Sequence, residues 1–193
     1  MSLSTRIAAH LPYLRRYARA VTGSQTSGDA YVAAVLETLI EDVSLFPEDG
    51  DDKVSLYKLF SQLFSSTTIE IEEIESPFSW EKRAAANLMA LPAKPRQAFL
   101  LISLENFSHE ETAQILDVES DSVSNLIDEA SSEIARQVAT DIMIIEDEPL
   151  IAMDIEQMVE SLGHRVTGIA RTHAEAVDLF KSSRPRMVLA DIQ

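Results

Sequence analysis

Over the first 140 residues, apolar side chains recur at spacings of three and four, the period of a helix with one buried face. Ile7, Leu11, Leu14, Tyr17, Ala18 and Val21 predict a helix over 3–21, ended by Thr22-Gly23-Ser24. Tyr31, Val35, Leu39 and Val43 mark a second over 28–43, with Asp29 at its start, where a carboxylate suits the helix dipole. The acidic loop Phe46-Pro47-Glu48-Asp49-Gly50-Asp51-Asp52 leads to a third helix over 54–64, with Leu56, Leu59, Phe60 and Leu63 as its buried set. Residues 65–77, rich in Ser, Thr and Glu and closed by Pro77, read as a linker. Within it Ile69, Ile71 and Ile74 fit either a short strand or packing against the helical region. Helices follow over 78–90 and 94–104, with Phe78 and Trp80 expected in a core rather than stacked on bases. Ser108 and Glu111 form a capping box that opens a short helix to Leu116. Asp117-Val118-Glu119 then turns the chain into a last helix carrying Val123, Leu126, Ile127, Ala130 and Ile134. Two helices around so tight a turn are a helix-turn-helix.

At about Asp141 the pattern changes. Ile142-Met143-Ile144-Ile145 is a continuous apolar run, as in a parallel strand buried on both faces. Pro149 suits the first turn of a helix whose inward face is expected at Ile151, Ile155, Met158, Val159 and Leu162, and Gly163 suits its C-terminal cap. A second strand over 165–170, a helix over 174–181 and a third strand over 187–190 complete a doubly wound α/β pattern. Right-handed crossovers place the first and third strands side by side. Glu146 and Asp147 then meet Asp191 beyond the carboxyl ends of the strands, where such sheets carry their functional groups. Three like charges there call for a cation, and oxygen ligands with a few waters suit Mg2+.

Charge changes this picture most in the helix-turn-helix. Between Glu105 and Glu133 there are nine acidic residues and no Lys or Arg. Affinity for a duplex comes largely from cations that displace counterions, so the shape says DNA reader and the charge denies it. The net charge of −16 argues likewise against nucleic acid in general and anionic membranes, and leaves a basic protein partner. The chain has no Cys, which excludes disulfides, thiolate metal sites and cysteine nucleophiles and agrees with a reducing cytoplasm. Its first residues do not read as a signal segment, and its apolar runs fall short of the roughly 20 residues a bilayer span needs. A soluble cytoplasmic protein is therefore expected. His10, His109, His164 and His173 lack metal-site spacing.

Ile-Ile-Glu-Asp-Glu-Pro followed by Val-Leu-Ala-Asp resembles the receiver domain of bacterial response regulators. That resemblance implies that Asp191 accepts the phosphoryl group and that Glu146, Asp147, Asp191 and the carbonyl of Gln193 hold Mg2+. It covers 142–193, roughly the first half of a receiver. The two further strands, with their Ser or Thr and Lys, are not in this sequence, so a shortened form with an exposed sheet edge and inefficient phosphorylation is expected. Leu-Pro-Tyr-Leu-Arg-Arg-Tyr-Ala-Arg-Ala-Val-Thr-Gly at 11–23 resembles the second region of a small extracytoplasmic-function sigma factor. Leu91 to Phe99 with Ser108 to Leu116 is similar to the fourth region. A working sigma factor presents basic groups on its last helix, where this chain has Ser120, Asp121, Ser122, Ser124, Asn125 and Asp128. Asp117 also stands where the turn usually has glycine.

Sigma-like helices joined to a receiver resemble the PhyR-type general stress response regulators. The implied fold is α plus α/β: a region-two-like domain over 1–66, a region-four-like domain over 77–138, and an incomplete receiver over 141–193. The implied role is an anti-anti-sigma factor that is not an enzyme. Once phosphorylated from a sensor histidine kinase, it captures a small anti-sigma factor and releases a sigma factor. Phe46 and Asp49 in the acidic loop, with Asp121, Asn125 and Asp128, are the candidate partner contacts. The alternatives are a DNA-binding response regulator and a Mg2+-dependent phosphohydrolase. Against the latter, Gln193 stands where a general acid is needed, two positions after Asp191.

Overall fold

Pro12 divides the first expected helix. A proline ring clashes with the carbonyl four residues back, so the chain forms α1 (Leu3–Ala8), turns at Ala9-His10, and restarts as α2 (Leu11–Thr22) with the proline in its first turn. The structure is a computed structural model that describes residues 3–47, 49–67 and 79–191, with backbone alone for 79–81. Ile69, Ile71, Ile74, Phe78, Gln193 and the Trp80 side chain lie outside the described residues.

Ser24 caps α3 (Gln25–Glu41) by accepting from the Ser27 amide, so this helix starts earlier than its apolar stripe implies. Asp29 is therefore past the first turn, and it pairs with Arg15 through two bonds of 2.7 and 2.8 Å. A 3-10 turn, Val43–Leu45, leads through the acidic loop to α4 (Asp52–Ser66), which Asp51 caps through the Lys53 and Val54 amides. Then come α5 (Ser79–Met89), α6 (Ala93–Ser103), α7 (His109–Leu116) and α8 (Ser120–Val138). Both bonds of the expected capping box are present, Glu111 N–H to Ser108 Oγ at 3.2 Å and Ser108 N–H to Glu111 Oε2 at 2.7 Å.

The chain divides into two compact units, residues 1–131 and 132–193, with the division inside α8. In the first, aromatic rings interlock: Tyr17 meets Tyr57 and Phe60 at 5.2 and 5.5 Å, and Tyr57 meets Phe107 edge-on at 4.9 Å. Helices α2 and α3 cross at Gly28, where an added Cβ would lie 2.7 Å from the Arg19 backbone nitrogen. Within this core Glu105 is 4% exposed. Its carboxylate accepts from Arg16 Nε at 3.1 Å, Arg16 Nη2 at 2.9 Å and the Tyr57 hydroxyl at 2.9 Å, while its carbonyl accepts from Lys53 Nζ at 2.7 Å. Burial and the Glu105 charge together push the Tyr57 hydroxyl far above the usual phenol range, so it remains a donor.

In the second unit, β1 (Asp141–Ile145), β2 (Arg165–Ala170) and β3 (Met187–Ala190) form a parallel sheet in the order β2-β1-β3. The connections are α9 (Pro149–Ser161) and α10 (His173–Ser183). Gly163, at φ 85°, closes α9: its own N–H reaches Glu160 O, and the His164 N–H reaches Val159 O. The buried side chains of α9 are Ala152 and Val159, with Ile155 half-buried. Ile151, Met158 and Leu162, expected inward, are exposed. The helix is apolar on more than one face, and the small Ala152, seven residues before Val159, is one of the two side chains it buries.

Glu105→Ala is expected to destabilise the fold by about 3 kcal/mol, the low end for a broken buried pair because Arg16 is half exposed. Tyr57→Phe should cost about 1 kcal/mol, both read by urea unfolding. Gly28→Ala should cost roughly 1–3 kcal/mol by the same measurement, since the clash is with backbone. Hydrogen bonds from Arg15 and Arg6 hold the Asp29 and Asp52 carboxyls below the usual carboxylate range. Their contribution is present above roughly pH 4 and is lost as pH falls through the lowered folded-state values, so the Tm should fall as the pH drops below about 4.

Candidate functional site

Backbone pairing builds the carboxylate edge. The Glu146 N–H donates to Ala170 O at 3.0 Å and the Asp191 N–H to Ile145 O at 3.1 Å, so the residues leaving β1 and β3 emerge side by side. Glu146 is 4% exposed and turns back to accept from the Glu148 N–H at 3.0 Å, which orders the turn into α9. Asp147 and Asp191 are exposed. One carboxylate oxygen from each of Glu146, Asp147 and Asp191 lies within 4.8 Å of the others. Three such oxygens, one anchored and two facing water, could hold a hard divalent cation whose remaining positions water fills. The structure thus brings together three of the four expected metal ligands; the fourth, Gln193, is outside the described residues.

The helix-turn-helix is a second surface. Asp117 takes the left-handed conformation that closes α7, with φ 52° and ψ 58°, the position where glycine is usual and Asp is tolerated. Val123 and Ala130 bury one side of α8, while Leu126, Ile127 and Ile134 are half-buried. Asp121, Ser124, Asn125 and Asp128 are exposed as expected, and Ser122 is half-buried. From Asp121 to Glu133 every charged group of α8 is an acid, and its one cation, Arg136, stands in the last turn.

The acidic loop divides differently from the expectation. Phe46 is 5% exposed, packed in the helical core with the Arg6 guanidinium 5.2 Å from its ring centre, so it is a core residue and not an accessible contact. Its place between Pro47 and exposed Leu45 gave no periodicity from which burial could be read. Asp49 is exposed. Glu105 was missed altogether as a positioning residue. The available signal was an acid sitting between Leu104 and Phe107, directly after an apolar helix.

Known proteins bear out the resemblance. The model for the sigma2 domain of PhyR matches residues 7–61, and that for the sigma-like domain of the response regulator PhyR matches residues 88–137. The phyllosphere-induced regulator PhyR of Methylorubrum extorquens is 48% identical over all of this chain and 72% of its own length. This chain belongs to the PhyR family. The anti-anti-sigma factor PhyR of Bartonella quintana, solved in complex with the anti-sigma factor NepR, is 53% identical over the full chain and 73% of its own, with a TM-score of 0.87. The response regulator PhyR of Brucella abortus is 55% identical over the full chain and 69% of its own, with a TM-score of 0.56. No described helix is long and apolar enough to cross a membrane.

Crowding of like charge at the strand edge predicts that Asp147→Asn and Asp191→Asn each raise the Tm in EDTA, by scanning calorimetry. Asp117→Gly should leave stability unchanged or raise it by up to about 1 kcal/mol, whereas Asp117→Val should lower it by about 1–2 kcal/mol.

Proposed function

We propose that this protein is a phosphorylation-controlled anti-anti-sigma factor that captures a small anti-sigma factor of the NepR kind through its sigma-like helices. A sigma factor is thereby released for stress transcription. The observation that carries this is the match, over all of this chain, to a PhyR held in complex with NepR. A protein that imitates a sigma factor must keep the packed helical scaffold and lose affinity for promoters. Here the capping box and the core of the helix-turn-helix are intact, while its exposed edge has no cation.

Asp191 is the proposed phosphoryl acceptor, with a sensor histidine kinase as the ultimate donor. Glu146 and Asp147, with Asp191 and the Gln193 carbonyl, would hold Mg2+, which supplies charge neutralisation for an incoming phosphoryl group. The chain's own part is to place the nucleophilic carboxylate at the end of β3 and to fix Glu146 beside it through the Glu148 amide. Phosphorylation adds charge at this edge and so biases which arrangement the chain prefers. Moving an ensemble from about 1% to 99% competent takes roughly 5.5 kcal/mol, of which capture of the anti-sigma factor can supply part.

Titration calorimetry with a NepR-type anti-sigma factor is expected to show saturable binding that strengthens on phosphorylation, and Asp191→Asn should remove the strengthening. A mobility-shift assay at low salt should show no tight duplex binding. Tight binding there would instead support a promoter-reading regulator.

A further inference from the structure

One cleft is used neither by the carboxylate edge nor by the exposed face of α8. It has a volume of about 390 Å3 and lies between the acidic loop, α4 and Gln114 of α7. Leu45, Pro47 and Leu59 supply apolar wall, Asp49 and Asp51 supply carboxylates, and Lys58 is the cation among the lining residues. The Asp51 carboxylate is occupied, accepting from the Lys53 and Val54 amides at 2.8 and 3.0 Å. Among the described residues, no side chain pairs with Asp49 or Lys58. Leu45, which lines the cleft, is 51% exposed, and Val43 and Ile40, two and five residues earlier in the chain, are 58% and 81% exposed. The surrounding segment, residues 37–52, has seven carboxylates and no Lys or Arg.

An apolar wall beside carboxylates fits one kind of occupant. A long cationic side chain lays its aliphatic stem on apolar wall and brings its charged head to a carboxylate. An amphipathic helix presents such a side chain together with apolar anchors one turn away. We propose that this cleft receives an arginine or lysine side chain of the anti-sigma factor, carried by a helix whose apolar face rests on Ile40, Val43 and Leu45. This deepens the capture reading and rests on it. Charge complementarity selects the occupant: nucleic acid is repelled by the seven carboxylates, and a second copy brings the same net charge of −16. Since Gln114 comes from the helix-turn-helix and the other lining residues from 45–62, a side chain seated there touches both halves of the helical unit.

The test is calorimetric titration of the full chain with a NepR-type anti-sigma factor, folding being checked by circular dichroism. Asp49→Lys is expected to weaken binding roughly tenfold or more and Leu45→Ser several-fold, while Lys58→Glu should tighten it about threefold. Asp178→Lys makes the same charge change as Asp49→Lys on exposed α10, outside the cleft, and should shift affinity less than about twofold. Wild-type affinity in both Asp49→Lys and Leu45→Ser would overturn the cleft assignment and leave the capture reading standing. Failure of the wild-type chain itself to bind would overturn the capture reading, and the assignment with it. Self-association abolished by Asp49→Lys would give the cleft to a second copy and likewise overturn the proposal.

Discussion

A buried carboxylate ties the sigma-like helices into one body. Glu105 follows α6, yet its oxygens are held by Arg16 from α2 and Tyr57 from α4, and its carbonyl by Lys53. Lys53 also lies 4.0 Å from the centre of the Phe107 ring, so the cation is shared between a carbonyl and an aromatic face. A buried charge is costly to strand, so these donors must stay in place. The arrangement therefore resists sliding of the two sigma-like halves past one another more than an apolar seam would. A partner that must touch both halves at once meets a surface whose spacing is already set.

On that frame the protein is shaped by what its exposed side chains cannot do. Helix-turn-helix geometry survives because caps and core enforce it: Ser108 with Glu111, left-handed Asp117, and the buried Val123 and Ala130. Those groups hold the backbone, while sequence is read by other side chains, so the reading edge is free to become acidic without loss of structure. The same separation of scaffold from surface holds in the acidic loop, where Phe46 is packed beneath Arg6 while Asp49 faces water. At the sheet edge, Glu146 is pinned and the two aspartates beside it stay accessible. In each case one anchored residue positions others that remain available.

Much of the fold was legible because local periodicity and capping chemistry act over a few residues. The limits of β2 and β3, the capping box and the glycine cap of α9 coincide with what the sequence implies. The break at Ala9-His10 was missed because an unbroken apolar stripe outweighed Pro12. Helix α9 was misread for the opposite reason, since Ile151, Met158 and Leu162 are as apolar as a core face and yet are exposed. Periodicity finds a stripe, but it cannot choose between two when a helix is apolar on both.

What the sequence determined alone was chemistry carried by composition and order: a cation-free reading edge, an acidic pair after one strand and a lone aspartate after another. Those properties belong to residues wherever the chain places them. Only tertiary structure decided that Glu105 and not a surface acid is the tie between helices, that Phe46 is core, and that Asp49 borders a cleft closed by Gln114 from far along the chain. Each depends on which distant groups converge. Such convergence is set by the packing of whole helices and leaves no trace in the spacing of neighbours.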